Sequence, residues 1–577
     1  MPTQMAPQNT FKVILPYLIL LLLGALVCAP MLWYGASNGH SIEYNLVWLQ
    51  NFSAQLAQGD LYPRWLMGMN HGAGSPVFYF YAPLPFYILS LPVWLFGGSK
   101  LIVQLGIGEW LLIALSGMTF YRFARANFAT GPALLAAFLY MVLPYHFEID
   151  LWRRQDIGEL TNYIWMPLVL HYTDRLFNGE RVIAGLALSY AAMVLTHLPS
   201  TLLFSIGLGA YVLVVTWRRH RAAQLLPFAI AIAVGLLITA LYWIPALFSE
   251  QYVRADKLWT PYFDFHYWFF ELDDLPKAIG HDNKFARRLF EMIGLTSAIF
   301  AIAWVNAYRW RHVVGRTALF SVLTLIGVAW FLMSSWSETV WETLPELWKV
   351  QFPWRITMVV DLATAIVLLH SLHCLQQYRD RISGLVLAIV ACLLVYSFAS
   401  ADVLRKLDPF DNAWWVTGRD QAVRNGLDAP EYTTKWNPSN VADTGTAIDG
   451  MQELGYDQAQ GNIAVTSWLP RHIELAVDLQ HATQLRIRQF YFPNWRVLSS
   501  GGETLTLQPE PATGLLTLQL PAGNYTLDLR LVALQQEKVG ALISVAGLLL
   551  WCGCRWWGRR GRRSDFSPTQ ERTKKSD

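Results

Sequence analysis

From Val13 to Gly35 the chain is apolar without one charged residue, long enough to cross a hydrocarbon layer of about 30 Å. No A-x-A cleavage end follows it, so the run is read as a retained signal anchor. Further apolar runs lie near 77 to 97, 101 to 121, 128 to 145, 161 to 173, 182 to 196, 200 to 216, 225 to 247, 292 to 307, 317 to 334, 353 to 373, 383 to 401 and 537 to 557. They predict a polytopic α-helical membrane protein with about 12 to 13 transmembrane segments. The run 77 to 97 carries Pro83, Pro85 and Pro92, which break helical hydrogen bonds, and is expected to be re-entrant or to lie at the outer interface.

A different pattern governs 402 to 535. Ile473–Leu479, Gln484–Phe490, Leu515–Leu520 and Tyr525–Leu531 largely alternate apolar with polar residues between Gly, Pro and Asn turns, which predicts strands of a small antiparallel sandwich. Four regions result: a multi-span domain over 1–401, an extracytoplasmic β-rich domain over 402–535, a final span over 536–558 and a basic cytoplasmic tail over 559–577, expected to be disordered.

Composition agrees with a membrane assignment. Of 577 residues 54% are hydrophobic and only 15% charged, against about 25% in soluble proteins. The net charge of +3 argues against nucleic acid as a partner. Position matters more than sum. Arg122 and Arg125, Arg175 with Arg181, Arg218 to Arg221, Arg309 to Arg316, Arg379 with Arg381, and the tail from Arg555 form basic clusters expected on the cytoplasmic side of a bacterial inner membrane, with both termini inside. Loops 36 to 100, 146 to 160, 197 to 200, 248 to 290, 335 to 352 and 402 to 535 then face outward. Five cysteines offer no CxxC pair or Cys/His cluster, and no Walker, HExxH or GxSxG arrangement occurs.

The outward loops carry the candidate chemistry. Ile42, Leu46, Leu49, Phe52 and Leu56 make one apolar helix face, so an amphipathic helix is predicted on the outer interface. Glu43 at its start is a candidate general base, or else merely complements the helix N-terminus. His40 precedes it; Asn70-His71-Gly72-Ala73-Gly74 and the aromatic run Phe78–Tyr81 follow. The second loop holds Glu148-Ile149-Asp150, Arg153, Arg154 and Glu159. Arg153 and Arg154 either meet a phosphate or snorkel to head groups. His197 sits in a hairpin between two spans, as a ligand, a helix cap or a satisfied core residue. Arg355, at the start of a span, suits bidentate phosphate contact. Asp273-Asp274 reads as a cation site or as a solvated acidic turn.

The block from Gly59 through Tyr81, with the later motifs, resembles the bacterial membrane proteins called 6-pyruvoyl-tetrahydropterin synthase-related, and more distantly the YfhO-like and other GT-C-type membrane glycosyltransferases. The resemblance implies a GT-C-like fold that takes a sugar from a polyprenyl-phosphate carrier on the outer face to a glycan or lipid acceptor. It implies a base in the first outer loop (Glu43, with Asp150 in reserve), substrate or phosphate contacts from Arg355, Arg153, Arg154, Glu159, His40, His71 and His197, and Glu148 and Asp150 as candidate ligands of a divalent metal. Where an Asp is expected before the amphipathic helix, this chain has His40-Ser41. A flippase for lipid-linked glycan and an envelope-assembly scaffold are the alternatives.

Overall fold

The computed structural model describes residues 10–97, 100–258, 260–270, 283–400, 426, 428–437, 448–503 and 505–564. Glu271, Asp273, Asp274 and His281, much of 402–447, and the tail from 565 lie outside the described residues. Helices dominate. Among the described residues eight are long and apolar enough to cross a membrane, nine if one bent pair counts as a single span, and Phe11–Val27, Leu84–Leu95 and Ile183–Val194 are shorter apolar helices. Length and composition make the chain consistent with a multi-pass membrane protein.

The prolines of 77–97 interrupt the helix once. Val77–Phe80 and Leu84–Leu95 are separate helices, with Pro83 and Pro85 at the break and Pro92 inside the second. The bent pair, Ala222–Ile238 with Ala240–Phe248, turns by 68°. It packs on the last helix, Gln535–Ser564, at two glycines: a Cβ on Gly540 would come within 2.6 Å of the Ala240 carbonyl, and one on Gly547 within 2.6 Å of the Ile238 nitrogen.

Basic residues from distant runs meet at one end of the bundle. Arg219 pairs with Asp174 at 3.4 Å, Arg309 with Asp380, and Arg181 lies over the Trp557 ring at 4.7 Å. The β-domain docks at the other end. Its sheets are antiparallel and four-stranded, one in the order β1-β4-β7-β6 and the other β2-β3-β8-β5. The strands are β1 (Leu454–Gly455), β2 (Gly461–Leu469), β3 (His472–Leu479), β4 (Thr483–Phe490), β5 (Trp495–Ser499), β6 (Gln508–Pro509), β7 (Leu515–Leu520) and β8 (Gly523–Leu531). The four strands expected from alternation are β3, β4, β7 and β8, whose inward residues, such as Leu475, Ile487, Leu518 and Leu529, form the domain core.

Trp65, Met67 and Ala73 from the loop after the first helices, with Tyr79 of the helix Val77–Phe80, join that same core. Asn70 and His71 adopt left-handed backbone, φ 51° and 56°, followed by Gly72 at 84° and Gly74 at 87°. This run turns the loop sharply enough for the Phe490 N–H to donate to the Ala73 carbonyl at 2.6 Å.

Candidate functional site: a buried guanidinium–carboxylate cluster

The expected open loop over 146–160 is instead wound as a π-helix, Tyr145–Arg154, that continues the preceding helix. Its wide i→i+5 winding aligns residues four and five apart. Two rows of polar side chains follow. Tyr145, Asp150 and Arg154 form one, with Arg154 donating to Asp150 and, at 3.3 Å, to the Tyr145 hydroxyl. Glu148 and Arg153 form the other, at 3.1 Å. Irregular helices of this kind recur at functional sites.

Gln155, left-handed at φ 57°, ends the winding and reverses the chain into the helix Ile157–Phe177. Asp156 caps that helix by accepting from the Glu159 N–H at 3.0 Å, which brings Asp156 and Glu159 back onto Arg154. Arg154 donates to Glu159 at 2.9 Å and to Asp156, and lies over the Trp354 ring at 4.7 Å. Tyr145 donates its hydroxyl proton to Glu159 at 2.8 Å. Arg355 stands beside them, 3.6 Å from Asp156 and 3.8 Å from Glu159, and donates one hydrogen bond, from Nη1 to the Val350 carbonyl. Among the described residues its buried Nε has no hydrogen-bond partner, and neither has Asp150 Oδ2.

His197 closes the group. Asp156, Glu159 and His197, all buried, each present a potential ligand atom within 4.8 Å of the others. Burial disfavours the imidazolium and lowers the His197 pKa to about 4. Burial opposes charge on Asp156 too, but the Arg154 guanidinium, with Arg355, holds its carboxyl well below the usual carboxylate range.

Asp150, Arg154, Glu159, Arg355 and His197 are thus brought together, with Asp156 added. Glu148 and Arg153 belong to a neighbouring network: Arg288 grips Glu148 through Nη2 at 2.8 Å and also through Nε, so both Glu148 oxygens are engaged. His40 and Ser41 contribute backbone, their N–H groups donating to the last π-helix carbonyls of Arg153 and Arg154 at 3.0 and 2.9 Å, while the His40 ring packs on Phe285. Glu43 is exposed at the start of the helix Ile42–Ala57 and lies outside the cluster. His71 sits in the β-domain dock, 3.4 Å from Asp449.

Sequence reasoning did not single out Asp156, Arg288 or Asp361. Asp361 is wholly buried in the helix Thr357–Tyr378, accepting from the His146 N–H at 2.9 Å and the Tyr163 hydroxyl at 3.1 Å. A lone acid inside an apolar run was the visible signal for Asp361; Arg288 had none.

A cleft of about 310 Å³ opens between the helix Ile42–Ala57 and the β-domain, lined by Asn51, Gln55, Gln58, Glu453, Trp468 and Arg488. No family model and no curated protein matches the chain.

Proposed function

We propose that this protein is an integral-membrane, GT-C-type glycosyltransferase of the bacterial inner membrane. It moves a sugar from a polyprenyl-phosphate carrier to a lipid or polysaccharide acceptor on the outer face. The observation that carries the reading is the buried cluster of Arg154 and Arg355 with Asp150, Asp156 and Glu159 at the bundle end bearing the β-domain. Charged groups buried together at the end of an apolar bundle are costly, which favours a functional over a structural origin. The arginine clusters at the opposite end support a cytoplasmic assignment for that end.

In a direct displacement the acceptor hydroxyl attacks the anomeric carbon, the bond to the phosphate oxygen breaks, and the phosphate leaves with the electron pair. Asp150, with Oδ2 unpartnered, suits the base that takes the hydroxyl proton, whereas Glu43 is exposed and apart. Arg355 suits the leaving phosphate, because it is the less committed of the two guanidiniums. The cleft beside Trp468, with its amide side chains, has the chemistry of a glycan acceptor site.

Transfer of radiolabelled sugar from a prenyl-phosphate donor in proteoliposomes tests this. Glu43→Gln should transfer normally, Asp150→Asn should bind donor without transfer, and Arg355→Lys should recover part of what Arg355→Ala loses. Undiminished transfer in Asp150→Asn would sink the mechanism. The 68° bend between Ala222–Ile238 and Ala240–Phe248 favours a second reading, a lipid-linked glycan flippase, since broken helices mark transporters. Carrier translocation that survives Asp150→Asn, with no transfer in the parent protein, would select it.

A further inference from the structure

Arg154 and Arg355, the guanidiniums that suit a phosphate, both stand against carboxyl groups. Arg154 serves Asp150, Asp156 and Glu159, and Arg355 leans on the latter two. Three carboxyl groups face two guanidiniums, so with all three ionised the cluster carries one formal negative charge, which opposes an incoming phosphate.

We infer that Asp156, Glu159 and His197 hold a divalent cation, and that this cation turns the cluster into a receptor for phosphate. The potential ligand atoms already lie within 4.8 Å of one another, and bonds of about 2.0–2.2 Å need only a small inward adjustment. His197 is 8% exposed, and its Nδ1 lies 2.6 Å from the Ser200 hydroxyl. In the tautomer that donates Nδ1–H to Ser200, Nε2 keeps a lone pair with no hydrogen-bond partner among the described residues. A histidine held through one nitrogen and open at the other is the usual arrangement of a metal ligand. Gly158 backs the ring closely: a Cβ there would come within 2.9 Å of His197 Cδ2.

The carboxylates also have capacity. Asp156 Oδ1 accepts one backbone N–H and Glu159 Oε1 one hydroxyl, and each oxygen has a second lone pair. Two oxygens and one imidazole suit Zn²⁺ or Mn²⁺ better than Ca²⁺, and three protein ligands leave a position open for a phosphate oxygen. The added charge changes the cluster from one negative to one positive. The phosphate role rests on the function proposed above; the cation site stands without it.

The test uses the full chain in detergent, stripped with chelator, dialysed against Zn²⁺ or Mn²⁺ and assayed for bound metal. About one equivalent is expected, with His197→Ala binding at least tenfold more weakly and Ser200→Ala, which keeps all three ligands, weakened by a smaller factor. Thermal melting and gel filtration establish that both variants are folded. Parent protein with no bound metal, or His197→Ala binding as tightly as the parent, overturns the site. Farnesyl phosphate, titrated with and without Zn²⁺, should bind at least tenfold more tightly with it; equal binding overturns the receptor role. Metal-dependent binding without sugar transfer would reject the enzymatic reading and leave the inference standing.

Discussion

Trp65, in the loop between the first helices, donates its indole N–H to Gln489 Oε1 on β4 at 2.8 Å, joining residues 424 positions apart. The Gln489 amide in turn donates to the carbonyls of Met67 at 3.2 Å and Gly72 at 2.6 Å. The loop is thereby part of the β-domain rather than a free rim over the bundle.

Truncating Trp65 should therefore unfold the dock. Trp65→Ala is expected to cost about 3–5 kcal/mol, as for large buried aromatics, and Gln489→Ala about 1–3 kcal/mol for the stranded N–H. Thermal unfolding in detergent, with limited proteolysis of the β-domain, measures both. Equal protease resistance in Trp65→Ala and parent would contradict the shared core.

Arg154 is the hub of the cluster. Arg154→Met leaves three buried carboxylates short of a partner and should destabilise by about 3–5 kcal/mol or abolish the folded yield. Arg154→Lys should fall between, because one ammonium cannot span carboxylates that approach two different guanidinium nitrogens. Chemical unfolding of the purified variants gives the order.

Glu148 and Arg288 form the doubly hydrogen-bonded centre of the neighbouring network. Glu148→Gln and Arg288→Met should each be clearly destabilising, while the double variant costs less than the two together by about 1 kcal/mol or more. Metal binding by Glu148→Gln should match the parent, since both its oxygens are engaged by Arg288. Additive losses would mean that the pair is not coupled.

Asp428 predicts a pH dependence of the dock. It accepts from the Trp48 indole at 3.0 Å and from the Ser75 hydroxyl, and burial raises its pKa to about 6. The folded state thus holds a proton that the unfolded chain releases near pH 4. The protonated form favours folding, so stability declines as pH rises from about 4 to about 6, by at most about 1.4 kcal/mol per pH unit. Melting temperatures across that window should fall in the parent and stay flatter in Asp428→Asn.

What the sequence determined by itself is what local periodicity encodes. The apolar runs became helices, the proline-broken stretch broke at Pro83, and β3, β4, β7 and β8 followed from alternation, because a half-buried strand must repeat every second residue. Glu148, Asp150, Arg153, Arg154 and Glu159 were visible as a dense patch of charge, and Arg355 as a cation at a helix start. Partner choice was not visible. The π-winding of Tyr145–Arg154 put Asp150 and Glu148 in separate networks, and the turn at Gln155 carried Asp156 and Glu159 onto Arg154. Residues two hundred positions away supplied Arg355 to one network, and Arg288 entered the other from a third helix. Only tertiary packing decides such pairings: a charge taken out of water must be matched by whichever group the fold brings within a few ångströms, and sequence distance says nothing about which one that is.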